Sequence, residues 1–316
     1  MSEDLNARGD LNRRRALKCL MWGSAGVLWT LGGGVPIPFN LSSGTQGEAR
    51  GAEMPAFTFG QISDSHIGFK APANPDAPGT LAAAVAQISA GQPSFLIHTG
   101  DVSHLSKPEQ FDTAAEIMKQ SKREVFYVPG EHDTIGDDGK LFFERFGRAK
   151  GTGGWYSFDS HGVHFIGLVN VVGLKPGGLG TLGATQREWL EDDLRGRSAS
   201  TPIVIFTHMP LWSIYPQWGW GTDDAAAALA YVKRFGSVTV LNGHIHQVIQ
   251  KVEGNVTYRT AYSTAFPQPT PGNGAAPGPL AVPAGELRTM LGVRQVEVVA
   301  DHVELADATL EDRGAR

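Results

Sequence analysis

Short runs of apolar residues recur along this chain, and each ends at a glycine or a polar residue. Runs of this length are typical of buried central strands in an α/β sheet, which carry apolar side chains on both faces. We predict five such strands, at residues 57–62, 95–99, 125–128, 203–207 and 238–241. The pattern therefore favours the α/β class.

Amphipathic stretches separate the predicted strands. Apolar residues at helical spacing predict four helices, at residues 80–90, 108–120, 185–194 and 225–235. Strands that alternate with helices favour parallel pairing, with the helices on the faces of the sheet.

Two pairs of apolar runs depart from this alternation. They predict hairpins, one at residues 155–158 with 163–169 and a closing one at residues 294–299 with 303–305. Hairpins in an otherwise alternating chain indicate mixed strand pairing and a second sheet packed on the first. Residues 267–283 contain too much proline and glycine to form a helix or a central strand.

A cluster of histidine or carboxylate side chains follows each predicted strand. The clusters are Asp64-Ser65-His66, Gly100-Asp101, Gly130-Glu131-His132-Asp133, the isolated His208, and Gly243-His244-Ile245-His246. Ligands bind open α/β sheets at the carboxyl ends of the strands, so we expect these side chains to converge on one crevice. In an extended segment, residues i and i+2 point to the same side. Asp64 and His66 are therefore expected to face the same pocket, and so are His244 and His246.

The chemistry of these clusters indicates a metal site. Imidazole together with carboxylate suits Zn, Mn, Fe or Ni, whereas an all-oxygen set would suggest Mg or Ca. Two metal ions ~3.5–4 Å apart can lower the pKa of a bridging water and stabilise negative charge that develops during hydrolysis. The clusters therefore point to a two-metal hydrolase.

These motifs resemble those of the calcineurin-like metallophosphoesterases, whose signature is Asp-x-His, Gly-Asp, Gly-Asn-His-Asp/Glu, a lone His and Gly-His-x-His. The resemblance covers residues 57–305. It implies two mixed β-sheets packed face to face and flanked by helices, in a domain at residues 52–316. One position departs from the signature, because Glu131 stands where the family usually has Asn.

The resemblance also implies a role for each polar residue. It implies seven ligands for two transition-metal ions: Asp64, His66 and His246 for the first, Glu131, His208 and His244 for the second, and Asp101 as the bridge. Fe, Mn or Zn is the expected metal. His132 is expected to donate a hydrogen bond to a phosphoryl oxygen or to protonate the leaving group. Asp133 either orients His132 or a ligand histidine, or caps its own loop.

The implied function is hydrolysis of a small-molecule phosphate mono- or diester by metal-bound hydroxide. Hydrolysis of pyrophosphate or nucleotides on the same fold is one alternative. Another is a metal-binding or metal-handling protein with little phosphatase activity, in which Glu131 favours tight metal binding.

The N-terminus has the pattern of an export signal. The basic stretch Asn12-Arg13-Arg14-Arg15-Ala16-Leu17-Lys18 precedes an apolar stretch, residues 19–31, that is shorter than a membrane span of ~20 residues. It resembles a twin-arginine signal, with Ala16 where such signals often have Phe. Residues 1–51 are therefore interpreted as signal and linker. The implied partner is the twin-arginine export machinery, and the implied location is the periplasm or another exported compartment, without a stable span after processing. A retained anchor is the alternative.

Composition excludes several other classes. The net charge is −5 and no basic stripe is present, which argues against a nucleic-acid-binding surface. Cys19 is the only cysteine, so the predicted domain has neither an intramolecular disulfide nor a thiolate metal site.

Two features near the clusters have more than one interpretation. His104 is either an additional functional group or a structural residue. The aromatic segment at residues 212–220 either stacks on a nucleobase or aryl group, or covers apolar core. The remaining histidines lack ligand spacing and are expected to be structural or at the surface: His98, His161, His164 and His302.

Overall fold

The computed structural model of the protein describes residues 28–32, 35–39, 56–148, 153–174, 177–283, 285–299 and 302–311. The chain forms two compact units, Met1–Ala52 and Glu53–Arg316. In the first unit, strands β1 (Leu28–Gly32) and β2 (Val35–Phe39) pair antiparallel. The predicted twin-arginine motif lies outside the described residues, so the interpretation of residues 1–51 as signal and linker stays a prediction. Within the described ranges, we find no helix with the length and apolar character needed to cross a membrane.

One sheet of the second unit has five strands. They are β3 (Phe57–Ile62), β4 (Leu96–His98), β5 (Val125–Tyr127), β12 (Gly292–Val299) and β13 (His302–Thr309). Their order in the sheet is β13-β12-β3-β4-β5. β3, β4 and β5 pair in parallel, while β12 pairs antiparallel with β3 and with β13. The C-terminal hairpin therefore closes this sheet, as predicted.

The other sheet has six strands. They are β6 (Tyr156–Ser160), β7 (Val163–Gly167), β8 (Ile203–Phe206), β9 (Val238–Asn242), β10 (Gln250–Glu253) and β11 (Val256–Thr260). The order is β10-β11-β9-β8-β7-β6, with antiparallel strands at both edges of a parallel centre. His161 and Gly162 connect β6 to β7 with φ of 50° and 80°, which suits a tight type I′ hairpin.

Aromatic side chains fill the space between the sheets. Phe57 and Phe59 of β3 share one buried cluster with Phe165 of β7 and Phe206 of β8. Phe59 meets Phe165 edge to face, with ring centroids 5.2 Å apart. Because this cluster has members from both sheets, the sheets pack face to face, which confirms the predicted architecture.

Helices cover the outer faces. The helices are α1 (Ala77–Ala90), α2 (Pro108–Met118), α3 (Lys140–Phe146), α4 (Gly183–Leu194), α5 (Ala225–Ala230) and α6 (Leu287–Met290). α1, α2 and α3 share a buried cluster with the first sheet, and α4 and α5 share one with the second. α1 begins earlier than predicted because Asp76 accepts a hydrogen bond from the Gly79 N–H at 2.9 Å and Pro78 fits the first turn.

The sequence pattern missed α3, α6 and the β10–β11 hairpin. All of β10 is exposed, so it lacks the apolar alternation by which strands are recognised. The helix predicted to run to residue 235 ends at Ala230. Residues 267–283 contain neither helix nor strand, as predicted.

Candidate metal centre

Five loops carry the predicted site residues, and each follows the carboxyl end of a strand. β3, β4 and β5 of one sheet lead into Asp64, Asp101 and Glu131. β8 and β9 of the other sheet lead into His208 and His244. The loops from both sheets meet, since Asp64 Oδ1 accepts a hydrogen bond of 3.0 Å from the backbone N–H of His244. The crevice expected at the strand ends is therefore shared by the two sheets.

Several of these residues have left-handed backbone conformations. The angle φ is 52° at Asp64, 40° at His66, 53° at Asp101, 72° at His244 and 56° at His246. Such values are uncommon outside glycine and persist where surrounding contacts hold the chain. The expectation that the Asp-x-His and His-x-His segments are extended is wrong, because β3 and β9 end before them. The loop turns, rather than the pleat of a strand, make the side chains converge.

Asp64, His66 and His246 form one compact group, with ligand atoms within 4.8 Å of one another. His246 Nε2 lies 3.2 Å from His66 Nε2 and 3.4 Å from Asp64 Oδ1. His246 Nδ1 lies 2.6 Å from the carbonyl oxygen of Phe266, to which it donates a hydrogen bond. This contact fixes the imidazole and leaves Nε2 directed at the group.

Glu131, His208 and His244 form a second group of the same size. Glu131 reaches both imidazoles, with Oε2 2.8 Å from His208 Nε2 and Oε1 3.0 Å from His244 Nδ1. His208 Nδ1 donates a hydrogen bond of 2.7 Å to the carbonyl oxygen of Thr99. The other ring nitrogen of His208 therefore faces the group.

Asp101 lies between the two groups. Its Oδ2 is 3.4 Å from His66 Nε2 in the first group and 3.5 Å from His208 Nε2 in the second. The structure thus brings together all seven residues that the resemblance implied as ligands, and it also groups Asp101 with Asp64 and His208.

The donor atoms of this centre fit metal ions. Five buried atoms make no hydrogen bond of good geometry with the described residues: Asp64 Oδ2, Glu131 Oε2, His208 Nε2, and Nδ1 and Nε2 of His244. The close contacts of Glu131 with His208 and His244 bring charged and polar atoms together without good hydrogen-bond alignment. A buried polar atom without a partner usually costs ~1–3 kcal/mol. Cations bound by these lone pairs would remove that cost, and mixed imidazole and carboxylate donors suit transition metals.

Comparison with known proteins identifies the family. Residues 57–248 match the family model of the calcineurin-like phosphoesterases. The chain belongs to the calcineurin-like phosphoesterase family. The matched residues include all five loops of the centre, from Asp64 to His246, which confirms the resemblance seen in the motifs.

Two curated relatives are similar to part of this phosphoesterase chain. A 3′,5′-cyclic-nucleotide phosphodiesterase of Nostoc sp. is 29% identical over 176 residues, which cover 54% of the chain and 63% of the relative. A probable cyclic nucleotide phosphodiesterase of Fibrobacter succinogenes is 24% identical over 161 residues, which cover 50% of the chain and 59% of the relative. The chain therefore spans less than two thirds of the length of either relative.

Solved structures share the phosphoesterase fold at low identity. A dimetal phosphatase from Danio rerio has a TM-score of 0.58 and 14% identity, with 81% of this chain and 99% of that one covered. Purple acid phosphatase PPD1 from yellow lupin has a TM-score of 0.59 and 12% identity, with 83% and 53% covered. GAP50, an anchor in the inner membrane complex of Plasmodium, has a TM-score of 0.56 and 14% identity, with 82% and 86% covered. At these identities the likeness shows the fold alone.

Neighbouring histidines lower the pKa of two carboxylates of the phosphoesterase centre, Glu131 and Asp64. Burial raises the pKa of Glu131, but His244 and His208 outweigh it and hold this pKa well below its usual value. Burial likewise raises the pKa of Asp64, and His246 and His208 bring it below its usual value. Ionised carboxylates are the form that binds cations.

His132 lies beside both groups. Its backbone N–H donates a hydrogen bond of 2.9 Å to Asp101 Oδ1, and its ring Nδ1 donates one of 2.7 Å to the carbonyl oxygen of His104. Burial lowers the pKa of His132, but Asp101 and Glu131 outweigh it and raise this pKa above its usual value. A protonated ring would leave Nε2–H free to donate.

His104 contacts two predicted site residues. Its imidazole stacks on His132 with ring centroids 4.9 Å apart, and its Nδ1 lies 3.4 Å from Nδ1 of His66. His104 therefore holds the imidazole of His132 in place, through both its own ring and its carbonyl group.

Asp133 was predicted either to orient a histidine or to cap its own loop. Among the described residues, its carboxylate makes no hydrogen bond with a histidine side chain. Its buried carboxylate accepts hydrogen bonds from the backbone N–H groups of Val102, Ser103 and Gly130 and from the Ser103 hydroxyl, at 2.7–3.0 Å. Burial and the nearby Asp101 raise the pKa of Asp133 to about 7. The loop-capping alternative is therefore correct, and Asp133 ties the Asp101 loop to the Glu131 loop.

Two glycines of the motifs permit close approach between these loops. A Cβ atom at Gly130 would lie 2.1 Å from Asp101 Oδ1. A Cβ atom at Gly243 would lie 2.2 Å from Ser63 Oγ and 2.6 Å from Asp64 Oδ2. Any larger residue at either position would displace a carboxylate of the centre.

The aromatic segment at residues 212–220 is largely structural. Trp220 is fully buried and shares a cluster with Trp218 and Ile245, the residue between two predicted ligands. Trp212 packs on Tyr258 of β11. Most of the segment therefore covers apolar core and supports the last loop of the centre, while Trp218 also lines a cavity beside Glu131.

Two other histidines are structural, as predicted. His98 is buried and lies 3.1 Å from the Ser65 hydroxyl. His164 is buried between two carboxylates, with Nδ1 2.8 Å from Asp159 and Nε2 2.6 Å from Asp193. The side chain of His302 lies outside the described part of the chain.

Proposed function

We propose that this chain is a phosphoesterase that depends on two transition-metal ions. The observation that carries the proposal is the pair of candidate ligand groups around Asp101, in which several buried oxygen and nitrogen atoms make no hydrogen bond of good geometry with the described residues. In this proposal the ligands are Asp64, His66 and His246 for one ion, Glu131, His208 and His244 for the other, and Asp101 for both. Fe, Mn or Zn suits such a donor set.

The residues have distinct tasks in this proposal. Bound metal ions would supply positive charge for the phosphoryl oxygens and lower the pKa of the attacking water. The carbonyl groups of Thr99 and Phe266 hold two ligand imidazoles in place. When its ring is protonated, His132 has Nε2–H as its remaining donor, suited to hydrogen-bond a phosphoryl oxygen or to pass a proton to the leaving oxygen.

We infer phosphate diesters as the first substrate class to test. Both curated relatives are described as cyclic-nucleotide phosphodiesterases, which favours 3′,5′-cyclic nucleotides among the diesters. Phosphate monoesters and pyrophosphates are the next classes to test, because the shared metal chemistry can act on each.

A hydrolysis assay beside metal analysis tests the proposal. The purified domain would be loaded with Mn, Fe or Zn and assayed with bis(p-nitrophenyl) phosphate, p-nitrophenyl phosphate and 3′,5′-cyclic AMP. We expect diester hydrolysis that a chelator abolishes and added metal restores. A protein that retains two metal equivalents and hydrolyses none of these esters would be a metal-binding protein instead.

A prediction concerns Glu131, the residue that departs from the family signature. Glu131 adds a third carboxylate to Asp64 and Asp101, whereas Asn would leave two, so the natural centre carries one more negative charge. We expect this charge to favour a trivalent ion such as Fe³⁺ near Glu131, or to weaken phosphate binding when both ions are divalent. Glu131→Asn should therefore change the metal ratio, measured by elemental analysis, or raise activity with two divalent ions.

Glu131→Gln is the matched control for side-chain length, because it removes the charge and keeps the reach toward His208 and His244. If charge is the cause, Gln and Asn should act alike. Identical metal content and kinetics in Glu131→Asn and the natural protein would reject the idea.

We also propose export through the twin-arginine pathway, on the strength of Arg13 and Arg14 before a moderately apolar stretch. Replacing both with Lys keeps the charge and should leave the precursor in the cytoplasm, as measured by cell fractionation. A control with Arg50→Lys should be exported normally. Unchanged export of the double variant would reject the twin-arginine interpretation.

A further inference from the structure

A cavity of about 460 Å³ opens beside the predicted metal centre. Glu131, His132 and His244 all line it, so a molecule bound there lies against the centre. Its volume is within the range of small-molecule sites, ~300–1,000 Å³. The cavity is therefore the space available to the organic part of a phosphate ester.

Large apolar side chains line other parts of this cavity: Ile135, Leu174, Met209 and Trp218. Ile135 is 47% exposed and lies four residues after Glu131, so its apolar side chain is accessible to a ligand in the cavity. Exposed apolar groups beside a polar site commonly contact a ligand.

Trp218 is held in a fixed position. It ends the 3₁₀ turn Pro216–Trp218 and meets Tyr215 and Trp220 edge to face, with ring centroids 5.2 Å and 5.1 Å away. The carbonyl oxygen of Gly178 would lie 2.7 Å from a Cβ at Gly219, so the loop that follows the turn is also closely packed. A rigid aromatic wall can bind a flat ring with little loss of side-chain entropy.

We infer that this cavity binds a flat apolar ring in one ester group of the substrate, and that Trp218 and Ile135 select for that ring. The inference rests on the proposed phosphoesterase function and specifies the group next to the phosphate. A ring placed against these side chains buries apolar surface, whereas a methyl group in the same position buries little. Aryl groups and nucleobases both have a flat ring face that can pack against such side chains.

Binding calorimetry with non-hydrolysable ligands tests the inference. Phenylphosphonate and methylphosphonate have the same phosphoryl group and differ in the ring. We expect the metal-loaded protein to prefer phenylphosphonate by about tenfold or more, because single methylene differences in apolar pockets already give roughly 10–200-fold. Ile135→Ala should reduce this preference by roughly threefold and Trp218→Leu by less, because Ile135 presents more exposed apolar surface to a ligand.

Val252→Ala is the matched control, since Val252 is 61% exposed on β10 and does not line the cavity. Ile135 is exposed, so its variant should fold even if the Trp218 variant does not. Equal binding of both phosphonates, or a preference unchanged by Ile135→Ala, would overturn the inference and leave the proposed function in place. Binding of neither phosphonate would overturn both.

A second pair of compounds, compared by kcat/KM because both are cyclic diesters that the enzyme would hydrolyse, identifies the source of the ring. Cyclic AMP and ribose 3′,5′-cyclic phosphate differ only in the base. If the cavity binds a nucleobase, cyclic AMP should be preferred, and Ile135→Ala should reduce that preference. If it binds an aryl ester, only the preference for phenylphosphonate is expected.

Discussion

Replacing His132 with Ala is expected to lower the turnover number by about 10²–10⁴-fold, the usual contribution of a general acid–base group, with metal content unchanged. His132 contacts Asp101 through its backbone N–H, which Ala retains, while its ring is held by the His104 carbonyl with Nε2 remaining for the substrate. Steady-state kinetics beside elemental analysis measures both quantities.

His161→Ala is a suitable control, because His161 lies in the β6–β7 turn away from the five loops. It should keep full activity and full metal content. Loss of one metal equivalent in the His132 variant would make His132 a ligand and contradict the role proposed for it.

Replacing Asp101 with Asn is expected to have the broadest effect of any single substitution. Asp101 Oδ2 lies at similar distances from His66 and His208, one in each ligand group, so both proposed ions lose a carboxylate ligand. Removing one preorganised electrostatic group typically lowers turnover by about 10²–10³-fold, and we expect at least that loss here. Titration with metal should show weaker binding of both ions.

Asn keeps the size of Asp101 and can still accept the His132 N–H, so the fold should be preserved. Asp192→Asn, at an exposed carboxylate of α4, is the control and should leave metal binding and turnover unchanged. A variant at Asp101 that binds both metals normally and turns over normally would show that this carboxylate does not link the two groups.

The sequence predicted which side chains meet, because the candidate ligands stand directly after strands. β3, β4, β5, β8 and β9 end close to the predicted positions, so the order of the clusters determines that they meet. The fold class followed from the same runs. The conformation of the ligand loops did not follow, because residues such as Asp64 and His244 adopt a left-handed backbone that only tertiary contacts can hold.

Contacts made by backbone groups could not be predicted. The carbonyl groups of Thr99 and Phe266 orient His208 and His246, yet any residue type has a carbonyl group and leaves no signal in the sequence. The role of Asp133 also depends on backbone groups, since three backbone N–H groups donate hydrogen bonds to its carboxylate. For the aromatic segment, composition alone did not distinguish the buried Trp220 from Trp218 at the cavity.

The central claim is that two metal ions share this centre, and anomalous X-ray diffraction from crystals of the metal-loaded protein tests it most directly. The account predicts two anomalous peaks, one among Asp64, His66 and His246 and the other among Glu131, His208 and His244, with Asp101 contacting both. A single peak at full metal loading, or peaks away from these side chains, would contradict it.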